Sequence, residues 1–297
     1  MSSLMIKVAA CLALCISAAF SDASMPPSPG GPNEKAAIYS LSSADGQIQP
    51  ASDRSKSKGK KIALKRFPNG PIAFRNYKQA IHPIEGYQTK LLPGWTFNFD
   101  NVIVTPDAEV ITRITERNVA AFKWELEKRK ARKRGRYIVE ATLPETRPGI
   151  VAAPLWLYSE GAREGAHEFD FELMNGRIEY NLHNGNGGFN MRRVNKDLGG
   201  HRVRFEIDRQ PNKVTMRIES LTDGFRDELV VTPTKVRKWA KVPGAPKNLR
   251  WPPNQTAMYP VMEFWVSNAS DWAGKWEPLP PGESIEMVMH GYSFTEK

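Results

Sequence analysis

The chain alternates acid and aromatic without a break at Glu168-Phe169-Asp170-Phe171-Glu172, then runs through Leu173 and Met174 to Asn175-Gly176. In an extended strand successive side chains point to opposite faces. Phe169, Phe171 and Leu173 would therefore fill a core while Glu168, Asp170 and Glu172 line the other face. The carboxylates then crowd one short row with no base among them, and like charges side by side repel. From the pattern alone two explanations stand: a wet acidic face of an amphipathic strand, or carboxyl groups kept together for acid/base and nucleophilic work.

The rest of the chain repeats the alternation. Residues 95–100, 110–115, 137–143, 178–183, 203–208, 214–219 and 285–290 are strand-like runs, most of them alternating in the same way. Turn signals close them, as at Asn175-Gly176, Asn184-Gly185 and Gln210-Pro211-Asn212. Short strands joined by turns rather than helices predict an all-β, antiparallel sandwich. Residues 62–297 are expected to form it as one domain, since sandwiches of about 200–250 residues commonly do so. One stretch departs from the pattern. Residues 120–134 are rich in helix formers and carry Lys128-Arg129-Lys130-Ala131-Arg132-Lys133-Arg134, so helix and strand both stay open there.

The N-terminus reads differently. Residues 1–23 have the layout of an export signal, with Lys7 ahead of the apolar stretch 8–20 and small residues around Ser21-Asp22-Ala23-Ser24. The apolar stretch is too short to span a bilayer. Cys11 and Cys15 both fall inside it, so the exported chain has no cysteine and relies on packing rather than disulfides. Residues 24–61, rich in Pro, Gly, Ser and Lys, cannot bury enough apolar surface to offset their ordering entropy and are expected to be a disordered leader. The expected location is outside the cell or in a periplasm. A formal charge of +10 suits nucleic acid, anionic lipid or an acidic polymer. The export signal turns the expectation away from nucleic acid.

Glycoside hydrolysis needs two carboxyl groups flanking the scissile bond, roughly 5–5.5 Å apart for retention and 6.5–9.5 Å for inversion. Strand positions i and i+4 are about 13 Å apart at Cα, a gap that two Glu side chains leaning together can largely close. Asp170, between them, could share a proton or a hydrogen bond and so help set the two Glu pKa values apart.

Glu168-Phe-Asp-Phe-Glu172 resembles the catalytic signature of glycoside hydrolase family 16, the lichenase and laminarinase family, in its five-residue form. Gly135-Arg-Tyr-Ile-Val-Glu-Ala141 and Pro148-Gly-Ile-Val-Ala-Ala-Pro-Leu-Trp-Leu-Tyr158 are similar to the strands preceding it in that family. Glu179-Tyr-Asn181-Leu-His183-Asn-Gly185, Val261-Met-Glu-Phe-Trp265 and Ser270-Asp-Trp-Ala-Gly-Lys-Trp276 are similar to those that follow. The resemblance spans residues 95–294 and implies a β-jelly-roll sandwich with a concave substrate cleft. It implies Glu168 as nucleophile, Asp170 as its helper and Glu172 as general acid/base. Trp156, Tyr158 and Trp265 would be sugar-stacking surfaces, Asn181 a hydrogen-bonding contact and Glu125 a substrate-facing acid.

The implied activity is endo-hydrolysis of a β-linked polysaccharide by a monomeric enzyme. The rivals are a non-catalytic carbohydrate-binding sandwich and a transglycosylase of the same fold. No cofactor is implied for the chemistry; relatives often carry a structural calcium, whose ligands the sequence does not reveal. No zinc-like ligand spacing appears either. The chain also departs from the family pattern. His183 stands where lichenase-type relatives usually have an aromatic, and Glu263 where they usually have Asn. With the basic run, these changes extend the substrate class from β-glucan to anionic polysaccharide.

Overall fold

A computed structural model describes residues 81–83, 91–107, 109–124, 131–159, 166–184 and 187–296. The export signal and leader read into residues 1–61, together with Glu125 and residues 128–130, lie outside the described residues. Two sheets make up the fold. The first contains β1 (Ile81–Pro83), β2 (Thr96–Phe97), β5 (Asn118–Trp124), β7 (Ile150–Ser159), β8 (His167–Met174), β9 (Arg177–Asn184), β10 (Gly187–Val194) and β14 (Tyr259–Val266). Its order is β1-β5-β14-β7-β8-β9-β10, with β2 joining β5 in parallel. The second contains β3 (Val102–Val104), β4 (Val110–Ile114), β6 (Gly135–Thr142), β11 (Arg202–Gln210), β12 (Lys213–Ser220), β13 (Arg226–Val231) and β15 (Ile285–Thr295). Its order is β13-β12-β11-β6-β15-β4-β3. This is the expected all-β jelly-roll sandwich, and the alternating runs fall on its strands except at 95–100, where only Thr96–Phe97 is strand and Phe99–Asn101 is a turn of 3-10 helix.

Residues 118–124 form a strand despite their helix-forming composition. The row Ala120 to Lys123 pairs with Phe264 to Val261 of β14, and such cross-strand pairing outweighs a weak intrinsic preference. Past the undescribed stretch the chain is not helical either: Arg132 bridges Met258, and β6 starts at Gly135. Two short helices were not anticipated. The first, α1 (Pro233–Trp239), starts with Thr232 accepting from the Lys235 amide and Pro233 in the first turn. The second is α2 (Ser270–Ala273). Among the described residues no helix is long and apolar enough to cross a membrane.

The core lies between the sheets. Phe169 and Phe171 of β8 are fully buried, and Phe171 meets Tyr180 of β9 at 5.2 Å and Phe205 of β11 at 5.5 Å between ring centroids. Such ring pairs add roughly 0.5–1.5 kcal/mol beyond their buried area. The outer face of the first sheet is sheltered as well, since β7, β8 and β14 are buried along their whole lengths on both sides.

A candidate active site on the sheltered sheet face

The geometry of the site starts at a turn. Asn175 and Gly176 both have positive φ, 50° and 70°, as the favoured two-residue hairpin turn requires. Because β8 and β9 are joined by only these two residues, Met174 must pair with Arg177. Counting back, Glu172 faces Glu179, Asp170 faces Asn181 and Glu168 faces His183. On the other side β7 sets Trp156 opposite Asp170 and Tyr158 opposite Glu168. Directly opposed residues share a face. The three acids, two aromatics, Asn181 and His183 thus stand together on the sheltered side of the sheet.

Glu168, Asp170 and Glu172 are 9%, 1% and 8% exposed. Asn181 donates its amide to Glu172 Oε2 at 2.6 Å, and Asn190 of β10 in turn donates to Asn181 Oδ1 at 2.9 Å. His183 Nε2 lies 3.2 Å from Asp170 Oδ2 and 3.9 Å from Glu168 Oε1. The Asp170 contact is close enough for an ion pair but off the line of an ideal hydrogen bond. The imidazole rests on Gly188, where a Cβ would come within 2.5 Å of the ring. Any other residue at 188 would displace it.

Charge follows from this geometry. Burial disfavours the His183 imidazolium, but Glu168, Asp170 and Glu172 around it outweigh burial and raise its pKa to about 9. Burial likewise pushes the Asp170 carboxyl up. The contact and charge of His183, with the polar side chains around it, reverse that and hold it below the ordinary carboxylate value. At neutral pH the row therefore contains one imidazolium. Ligand atoms of Glu168, Asp170 and His183 lie within 4.8 Å of one another, a spacing a metal could use.

Of the remaining sequence candidates, Trp265 falls on the same face, as does Glu263. Alternation along β14 places Tyr259, Val261, Glu263 and Trp265 on the side of Trp156. Tyr158 meets Trp156 at 5.5 Å and Tyr259 at 5.9 Å, both edge to face. Trp265 and Glu263 are 2% and 4% exposed. Sequence reasoning missed three neighbours. Asn190 and Gly188 enter only through the β9–β10 pairing, in which Asn190 opposes Asn181 and Gly188 opposes His183. Glu179 is a further carboxylate, but it is bound by Arg177 at 3.0 Å, Arg193 at 2.7 Å and Trp272 Nε1 at 3.1 Å.

The fold is that of the β-glucanase sandwiches. The chain is similar to a solved Bacillus licheniformis β-glucanase, with 16% identity and a TM-score of 0.55, over 79% of this chain and 97% of that one. A Bacteroides ovatus mixed-linkage-glucan family 16 glycoside hydrolase, solved with a G4G4G3G product, is similar at 13% identity and TM-score 0.57, over 78% of this chain and 99% of that one. The Mycobacterium tuberculosis protein Rv0315, described as an immunostimulatory antigen and pseudo β-1,3-glucanase, is similar at 14% identity and TM-score 0.52, over 73% and 91%. The sequence matches no protein-family model and no curated protein.

Proposed function

We propose that the chain is a secreted glycoside hydrolase of the family 16 type, cleaving β-linked polysaccharide internally and with retention. One observation carries this reading: Glu168, Asp170 and Glu172 stand in a buried row on the sheltered face of a glucanase-like sandwich, with aromatic rings opposite them. Stability alone gives no reason to bury three carboxylates side by side.

In the proposed mechanism Glu172 protonates the glycosidic oxygen while Glu168 attacks the anomeric carbon, forming a glycosyl ester and releasing the leaving sugar. Glu172, now a carboxylate, takes a proton from water, which opens the ester and restores both groups. Asn181, anchored by Asn190, orients Glu172. Asp170 and the His183 imidazolium keep the charge beside Glu168 balanced, so that Glu168 can be ionised without a second uncompensated carboxylate next to it. Trp156, Tyr158 and Trp265 offer ring surface to sugars. The chemistry uses these side chains without a cofactor, and the enzyme works as a monomer.

Substituting Glu168→Gln and Glu172→Gln tests the reading, with polysaccharide hydrolysis followed by reducing ends and proton NMR of the first product. Each variant is expected to lose about 10³-fold or more in rate while its far-UV spectrum is unchanged, and the first anomer is expected to keep the configuration of the substrate. Full activity in either variant removes that residue from the mechanism, and an inverted first anomer refutes retention. The similarity to a pseudo-glucanase favours one second reading, a sandwich that binds glycans without cleaving them. Binding with no product from any glucan, galactan or acidic exopolysaccharide would establish it.

A further inference from the structure

Both carboxylate oxygens of Asp170 and both ring nitrogens of His183 are buried, and among the described residues none of the four has a hydrogen-bond partner. The residues themselves are 1% and 7% exposed. They meet each other only as an ion pair, at 3.2 Å. Three other histidines are held differently. His290 meets Glu109 at 2.8 Å through Nδ1 and Thr142 at 2.7 Å through Nε2, His201 meets Ser220 at 3.0 Å and His167 meets Asn184 at 2.8 Å. An imidazolium set among carboxylates would by itself be plain charge balance. Four buried polar atoms left unsatisfied in one place call for a further partner, because such atoms are almost always paired.

The same atoms are spaced as metal ligands. One ligand atom from each of Glu168, Asp170 and His183 lies within 4.8 Å of the other two, and His183 Nε2 is 3.2 Å from Asp170 Oδ2 and 3.9 Å from Glu168 Oε1. Atoms bound at about 2.0–2.1 Å around a tetrahedral ion stand roughly 3.3 Å apart. Glu168 Oε1 therefore has to close in on the ring by only about half an ångström. Strand pairing fixes the set: Glu168 directly opposes His183, and Asp170 is the ring's diagonal neighbour on the same face. Gly188 beneath the imidazole, where a Cβ would come within 2.5 Å, sets its position. Glu172 stays out of the set, its Oε2 taken by the Asn181 amide at 2.6 Å, which leaves the fourth position to water.

The donor set selects the ion. Calcium takes roughly six to eight oxygen ligands, and magnesium demands a near-ideal octahedron of about six. One imidazole and two carboxylates suit a borderline first-row dication, zinc above all. Charge points the same way. His183 as imidazolium offsets one of the two charges of Glu168 and Asp170, whereas a dication bound through the neutral imidazole, with its proton released to solvent, offsets both. We propose that Glu168, Asp170 and His183 form a reversible site for zinc or a similar dication, and that the bound ion shuts the acidic row down by occupying the Glu168 carboxylate that attacks the sugar. The inhibition rests on the glycosidase reading, while the binding of the ion is measurable without it.

The test uses the full-length chain with Cys11→Ser and Cys15→Ser, since thiolates also take zinc. Zinc binding is measured by titration calorimetry, cobalt(II) absorbance reports the coordination number, and polysaccharide hydrolysis is followed with and without zinc and EDTA. One ion per chain is expected, with the visible bands of four-coordinate cobalt. Hydrolysis is expected to fall about ten-fold at zinc about ten times its Kd and to recover with EDTA. His183→Gln, Asp170→Asn and Glu168→Gln are each expected to lose about ten-fold or more in zinc affinity, together with the cobalt bands. Glu168→Gln carries the test if either of the other two fails to fold. A His201→Gln, His290→Gln variant is expected to bind zinc as before. No uptake, uptake unchanged in the Glu168, Asp170 or His183 variants, or uptake lost with His201 and His290 would each overturn the site. Zinc bound at these residues with hydrolysis unimpaired overturns the inhibition and removes Glu168 as nucleophile. Zinc bound by a protein that hydrolyses nothing even after EDTA supports the site and counts against the glycosidase reading, whereas hydrolysis with no zinc bound sinks the site alone.

Discussion

On the outer face of the second sheet, Glu140 is fully buried yet flanked by Arg202 at 2.6 Å and Arg204 at 3.2 Å. Glu206, 4% exposed, sits between Arg136 and Arg217. On the outer face of the first sheet, Glu168, Asp170 and Glu172 are almost as buried, and the imidazole of His183 is the cation placed among them. The two faces bury carboxylates to a similar depth and compensate them differently. Two guanidinium groups per acid is an arrangement for stability, since a buried carboxylate without partners costs several kcal/mol. Under the proposed mechanism, an imidazole in place of guanidinium pairs suits groups that must exchange protons. Glu179 marks the border, lying on the face of the acidic row yet neutralised like an acid of the other sheet by Arg177 and Arg193.

The sharpest way to break this comparison is to strip Glu140 of both partners. Arg202→Ala with Arg204→Ala leaves a fully buried carboxylate unpaired, and urea unfolding is expected to show a loss of about 3–5 kcal/mol. A loss under 1 kcal/mol would mean the pairing on that face is decorative. A smaller effect is expected from pH. The His183 pKa is raised to about 9 in the folded protein. Its stabilising contribution is therefore complete below the unfolded value of about 6.5 and is lost as pH rises through about 9. Asp170, held low, contributes above the ordinary carboxylate value and loses that contribution as pH falls through its folded pKa. Stability measured from pH 7 to 10 should thus decline more steeply in the unsubstituted protein than in His183→Gln, and an NMR titration should find the imidazolium persisting past pH 8. Parallel curves would remove His183 as the compensating charge. The smallest stability change belongs to Glu168→Gln, which relieves repulsion while removing a partner of His183. Its unfolding free energy is expected to shift by no more than about 1 kcal/mol in either direction. A loss as large as that of the Glu140 partners would make the acidic row structural.

Much of the first sheet was legible in the chain itself. Alternation in 168–174 and 178–183 marks the strands, and Asn175-Gly176 carries the information that pairs Glu168 with His183, because a two-residue turn admits one register. The strand at 118–124 was not decidable, since helix-forming residues there are overruled by β14 from more than a hundred residues away. Asn190 and Gly188 were missed for a similar reason: nothing about an Asn or a Gly in a polar strand marks it until β10 lies beside β9.

By itself the sequence determined the period-two framework, the tight hairpin and the presence of three acids on one face, all consequences of local geometry that reach no further than a turn. Only the tertiary structure decided how those acids are compensated. Sheet order brings Trp156 from β7, His183 from β9 and Trp265 from β14 to one face. Electrostatic compensation acts between groups a few ångströms apart in space, and which groups those are is settled by strand order and packing rather than by position along the chain.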